Sequence, residues 1–272
     1  MTHSTISLGV GLGGGKASTS SGRLPGGGVQ PLVNNLSGSF DGTNDAIDCG
    51  VLSAYQGAAN MSLSLWFKPD VSGVGPDIGV SQSFNFQYGL TSYGNTSNWV
   101  LVNQNHGARR YGQYTPPADT NWHHYLMTFA SGGTLVLYVD GSAVSLANEA
   151  TGTPSALPSV SSNFFIGHGD GTAYADGLID EVALWTTTLN SANVTAIYNE
   201  GTPTVLTSDA GNYDQSSNLT HWWRIGDDSA DTSSGGGAAA SGNAIDNVEN
   251  AANPGTNDGT GSGGELYSST VP

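Results

Sequence analysis

Trp99, His106, Arg109, Arg110, Tyr111 and Tyr114 gather aromatic rings and guanidinium groups into one short stretch of chain. Aromatic faces stack on the apolar faces of sugars, and guanidinium or amide groups bond sugar hydroxyls. The stretch is therefore predicted to be an exposed carbohydrate-binding loop. The alternative is a surface loop whose arginines pair with neighbouring aspartates. Asp180 and Glu181 are adjacent acids, but in a strand neighbours point to opposite faces and cannot flank one bond. The same alternation argues against His123-His124 as a zinc pair, and packing is the better reading. Gly11-Leu12-Gly13-Gly14-Gly15-Lys16 lacks both the Ser/Thr sequel and the preceding buried strand of a phosphate loop. No Ser–His–Asp spacing or nucleophile elbow is visible.

The elements that must position these residues are strands. Met61, Leu63, Leu65 and Phe67 alternate with Ser62, Ser64, Trp66 and Lys68, the period of a strand with one buried face. Tyr125, Met127 and Phe129, then Leu135, Leu137 and Val139, make two more. Ser131-Gly132-Gly133 joins those two as a hairpin, and Asp140-Gly141 predicts a second hairpin of type I′. One helix is predicted over Ala192 to Asn199, capped by Ser191, with Val194, Ile197 and Tyr198 as its apolar stripe and Gly201 as its stop. The fold class is all-β, an antiparallel β-sandwich with one short helix.

Composition narrows the function. With 40 glycines and only 10% charged residues, there is little material for long helices. The net charge of −16 on six basic residues argues against a nucleic-acid partner and favours solubility as the role of the acidity. The sole cysteine, Cys49, forbids an internal disulfide and is expected to be a small core residue. The first residues lack the basic and apolar regions of a secretion signal, and no apolar run reaches membrane-spanning length. Residues 1–34 read as a Gly-rich N-terminal arm. Its alternating Ile6, Leu8, Val10 and Leu12 could dock as a strand on a partner's sheet edge, or the segment could be a flexible linker.

Four ordered segments carry a family resemblance: SFDGTNDAIDCG (Ser39 to Gly50), MSLSLWFKP (Met61 to Pro69), WHHYLMTFASGGTLVLYVDG (Trp122 to Gly141), and Phe164 to Gly201 with its GLIDEVALW and YNEG. Together they resemble the laminin G-like branch of the concanavalin A-like lectin/glucanase superfamily, whose fold is a jelly-roll sandwich. Leu219 to Asp227 is similar to the family's usual first strand, and Asn253 to Thr260 to the turn that follows it. The resemblance thus implies a circularly permuted sandwich, with residues 35–218 as its body, 219–272 completing it, and a mobile loop near 231–240. It also implies a calcium (Ca2+) site formed by Asp41 and Asp180, with Gly42 and Asp45 nearby; the alternative is that these acids bond only turn amides. Laminarinase-type hydrolases of this fold use an E-x-D-x-x-E spacing, which Glu149, Glu181, Glu200, Glu249 and Glu265 do not show, so the expectation is no enzyme.

The arm is similar to Gly-rich leaders on structural proteins of marine tailed phages. The leading expectation is a non-enzymatic virion structural protein, a capsid decoration, fibre or tail-associated module displaying a lectin-like domain for host glycans. On this reading residues 1–34 bind other virion proteins, and the protein is a homo-oligomer, a trimer by resemblance. Two alternatives are a secreted or cell-surface carbohydrate-binding adhesin and a divergent polysaccharide hydrolase.

Overall fold

Met61, Leu63, Leu65 and Phe67 lie in one inward row, paired with Phe129, Met127, Tyr125 and His123 of the antiparallel neighbour. The computed structural model describes residues 32–82, 85–93, 97–105, 108–169, 172–227, 232–233, 242–244, 259–262 and 266–272. The predicted arm, residues 1–34, lies outside these except for its last three positions, as does most of the 231–240 loop.

In chain order the strands are β1 Ser37–Asp41, β2 Ala46–Asp48, β3 Asn60–Pro69, β4 Ile78–Gln82, β5 Asn85–Tyr93, β6 Ser97–Asn105 and β7 Ala108–Tyr114. They continue as β8 His123–Ala130, β9 Thr134–Val139, β10 Ser142–Ala143, β11 Ala147–Thr151, β12 Phe164–Ile166 and β13 Asp176–Trp185. After helix α1 (Ser191–Tyr198) come β14 Leu219–Trp223, β15 Thr232–Ser233, β16 Gly242–Ala244, β17 Gly259–Ser262 and β18 Leu266–Ser268. One sheet has the order β10-β9-β8-β3-β13-β1-β18, with β14 also on β13. The other has the order β11-β7-β6-β5-β4-β12-β2-β17-β16-β15. The pairings are antiparallel, and the result is the all-β sandwich with one short helix that the sequence predicts. C-terminal strands enter both layers: β14 pairs with β13, β18 with β1 and β17 with β2.

The main core lies between the sheets and is built from inward rows such as Leu63, Leu65, Phe67, Val100, Val102, Phe164, Ile166 and Trp223, with Cys49 among them. A second apolar cluster changes one expectation. Strand β3 is buried on both faces, because α1 and the chain after it cover the outer side of the smaller sheet. Val194, Ile197, Leu206 and Tyr213 pack there against Leu126, Trp185 and Trp222. Ser62 and Ser64 tolerate this burial because both are satisfied. Ser62 Oγ donates to the Thr187 carbonyl at 2.8 Å and accepts from Leu189 N at 2.9 Å, while Ser64 Oγ meets His124 Nε2 at 2.7 Å.

The helix begins one residue earlier than the sequence suggests. Asn190, not Ser191, is the cap, its side chain accepting from Asn193 N, and Asn199 in the left-handed conformation (φ 46°) ends it before Gly201. The Asp140-Gly141 turn has positive φ at both positions, 49° and 75°, as a type I′ hairpin requires.

Candidate functional site

Residues 99–105 and 108–114 lie in the paired antiparallel strands β6 and β7, not in the exposed loop expected, and strand alternation divides the predicted site. Trp99 and Tyr111 face outward from the larger sheet, with ring centroids 5.4 Å apart at 74°. Arg109 lies in the same outward set, its guanidinium 5.9 Å from the Tyr111 ring centre. The structure brings these three together. Tyr114 instead faces the core beside Tyr125 and is only 5% exposed. Its burial, reinforced by the charges of Tyr125 and Asp77, holds the phenol well above its usual pKa. Arg110 also takes the inward register, opposite Val102, and ends at the sandwich edge in an ion pair with Glu149 at 2.6 Å. His106 lies outside the described residues.

Register extends the face across the sheet. Tyr111 pairs with Leu101, Leu101 with Gly89, Gly89 with Gly79, and Gly79 with Phe165. Gly89 and Gly79 have φ of 131° and 145°, which side-chain-bearing residues rarely adopt, and they leave the middle of the row without side chains. Beyond them, Phe165 contacts His168 edge-on at 5.4 Å, and His168 stacks on Tyr174 at 4.5 Å. Three strand spacings, roughly 14 Å, separate β12 from β6, and the row between the two aromatic groups is covered: Gly79 and Gly89 are buried, as are Gln87 and Thr91 on the same side of β5. A neighbouring row carries Gln113, Trp99 and Thr91. Beside it is an open pocket of about 310 Å³, lined by Ser97, Asn98, Gln113 and Thr115 with Gly73, Tyr114, Pro116 and Ala147. Asp77 is buried beneath Thr91 and Ser92; burial raises its pKa although both residues donate to it.

Gly79, Gly89, Phe165, His168 and Tyr174 were not anticipated from sequence. Phe165 carries a readable signal, since it alternates with the inward Phe164 and Ile166. The facing glycines become visible only once the strands are in register.

The acids divide too. Asp41 sits in an exposed turn, its Oδ1 accepting from Thr43 N at 2.8 Å, and it pairs across the sheet with Asp176. Asp180 lies four residues farther along β13, roughly 13 Å away at the rise of a strand. It is fully buried, accepting from Asn34 Nδ2 at 2.9 Å and Glu181 N at 2.8 Å. Asp41 and Asp180 therefore do not fit a single calcium site. Among the described residues there is also no group of three or more His, Cys, Asp or Glu side chains placed to hold a metal ion.

Asp180 and Glu181 depart from the expected opposite-face arrangement. Glu181 has φ of 50°, at a register shift between Asp180 and Ala183, and this bulge turns both acids to the helix-covered face. Glu181 accepts from Trp222 Nε1 at 2.6 Å and Arg224 Nε at 3.2 Å. Burial raises its pKa to about 7 against the pull of Arg224. Asp180 is raised as well, by burial and by the charge of Glu181. The cavity beside Glu181 is about 10 Å³, too small for a sugar. The two histidines behave as predicted for packing. His124 is buried and held neutral, its pKa driven down to about 3. His123 bridges Asp140 at 2.7 Å and Asp119 at 2.9 Å; burial opposes its charge, but the two carboxylates outweigh it and raise the pKa.

Residues 41–195, more than half of the chain, match a laminin G-type family model described as the concanavalin A-like lectin/glucanases superfamily. The chain belongs to this superfamily. No curated protein sequence matches it. Solved structures similar to the chain include a Bacteroides ovatus protein whose proposed role is carbohydrate binding, at 15% identity and TM-score 0.48, covering 88% of this chain and 61% of that one. The heptameric pentraxin of Limulus polyphemus is 13% identical with TM-score 0.41, covering 61% of this chain and 84% of its own. Domain 4 of a Geobacillus stearothermophilus arabinanase, solved with arabinotriose, is 16% identical with TM-score 0.36, covering 59% and 87%. The chain thus spans 61% of the length of the Bacteroides protein.

The raised carboxyl pKa values of this superfamily member set its response to pH. The folded state holds protons that the unfolded chain releases, so their contribution is complete below about pH 4.5 and is lost as pH rises towards 7. Urea unfolding of the wild type and Asp180→Asn at pH 5 and pH 8 checks this. The variant is expected to gain stability at pH 8 relative to pH 5, flattening the profile; an unchanged slope contradicts the assignment.

Proposed function

We propose that the outer face of the larger sheet binds carbohydrate without hydrolysing it. The observation that carries this reading is the Trp99–Tyr111–Arg109 group on the open β6–β7 part of that face, next to Gln113 and a polar pocket of about 310 Å³. Rings at an exposed sheet surface offer apolar area to the C–H faces of a sugar, and Gln113 and Ser97 supply hydrogen-bonding groups beside them. Membership of a lectin and glucanase superfamily supports a carbohydrate ligand. Binding alone is favoured over catalysis because the adjacent acid pair, Asp180 and Glu181, has no room for substrate. A glycan array followed by calorimetry tests the proposal. Trp99→Ala is expected to weaken binding by roughly 5- to 30-fold, the loss of about 1–2 kcal/mol of stacking, with an unchanged thermal midpoint. Equal affinity in the variant contradicts it.

We further propose that the domain is displayed on a virion, with residues 1–34 attaching it to partner copies. The end of that segment is firmly held: Arg224 donates to the Val33 carbonyl, Asn34 to Asp180 at 2.9 Å, and Asn35 N to Asp227 at 2.9 Å. An assembly arm needs such a fixed root. Light scattering should show a defined oligomer for the full chain and a folded monomer for a chain beginning at Asn34. Monomers in both cases overturn assembly through the arm.

A further inference from the structure

We infer that this face takes an acidic carbohydrate, bearing a carboxylate or a sulfate, and that Arg109 receives the anionic group; the inference rests on the carbohydrate reading above. The other cations of the described structure are engaged. Arg110 pairs with Glu149 at 2.6 Å, Arg224 with Glu181 at 3.2 Å and Asp227 at 3.4 Å, and Lys68 donates to the Thr120 carbonyl at 2.7 Å. Among the described residues, Arg109 has neither a carboxylate nor a hydrogen-bond partner; its guanidinium lies over the Tyr111 ring instead. Acids outnumber basic residues 22 to 6 in this chain, yet among the described residues none forms an ion pair with the exposed Arg109.

The position of Arg109 favours a bound anion. It is exposed, opposite Asn103 on the β6–β7 pair, and its guanidinium lies 5.9 Å from the Tyr111 ring centre. Tyr111 and Trp99 follow on the same face, so a sugar ring stacked there brings a ring substituent within reach of the guanidinium. The planar fork of arginine matches a carboxylate or sulfate with two parallel hydrogen bonds, which a neutral hydroxymethyl group does not reproduce. The net charge of −16 limits the ligand further. It repels a polyanion at long range, whereas beyond about 8 Å physiological salt screens its effect on a single acidic group. An isolated uronic acid or sulfate is expected, not a dense polysulfated chain.

The test is an array of matched oligosaccharides, each neutral, bearing one uronic acid, or bearing one sulfate, with heparin alongside and calorimetry on the hits. One acidic form, or both, should bind about 10- to 100-fold more tightly than its neutral counterpart, the range expected of a charge-assisted pair. The uronate and sulfate arms show which anion is read. Arg109→Gln should bring the acidic ligand down to the affinity of the neutral one, with Arg109→Lys intermediate and both variants melting like wild type. Equal binding of acidic and neutral forms overturns the acidic inference and leaves the carbohydrate reading standing. Binding to heparin alone overturns the isolated-group inference. Binding to none of the carbohydrates overturns both readings.

Discussion

At Glu181 the backbone of β13 enters the left-handed region, φ 50°, and the alternation of side chains slips by one residue. Before the slip, β1 pairs with residues 176–179 of β13; after it, β14 pairs with residues 182–185. Two strands distant in sequence thus share one edge of β13. The acids at their junction, Asp180 and Glu181, turn together under the helix and gather Asn34, Trp222 and Arg224. A left-handed non-glycine residue costs of order 1 kcal/mol or more, and it persists here because the hydrogen bonds around it leave the chain no better conformation. Two buried acids beside one arginine are a stability cost at neutral pH, offset by the joining of the N-terminal root, β13 and β14.

The larger sheet has bulges of its own, but residues 98–103 of β6 and 109–114 of β7 pair in unbroken register, and the outer surface there follows from that. Every second residue of β6 and β7 enters the core, so Val100, Val102 and Tyr114 are buried while Trp99, Tyr111 and Arg109 remain outside. The smaller sheet cannot offer such a surface, because α1 and residues 203–213 cover its outer face with the second apolar cluster. Among the described residues, the open part of the larger sheet's outer face lies on β6 and β7, where Trp99, Arg109, Tyr111 and Gln113 retain exposure.

Much of this was legible in the sequence. The period-two rows of β3, β8 and β9, the Asp140-Gly141 hairpin and the single helix follow from local rules, and the superfamily from four ordered motifs. What local rules do not carry is which residues share a face. Arg109-Arg110 looks like one basic pair in sequence, yet strand geometry sends one guanidinium to the surface and the other to Glu149. Asp180-Glu181 shows the reverse error, because a bulge brings together what alternation would separate. The family resemblance makes Asp41 and Asp180 partners, but register places Asp41 opposite Asp176. Register depends on long-range pairing, and one sequence does not print it.

The central claim is that the outward face of β6 and β7 meets carbohydrate. Backbone amide NMR during titration with an array-selected oligosaccharide tests it most directly. The account predicts saturable shifts at Trp99, Leu101, Arg109, Tyr111 and Gln113, fading towards the smaller sheet. Shifts concentrated at the Asp41–Asp45 turn or around α1, with β6 and β7 unmoved, would contradict it.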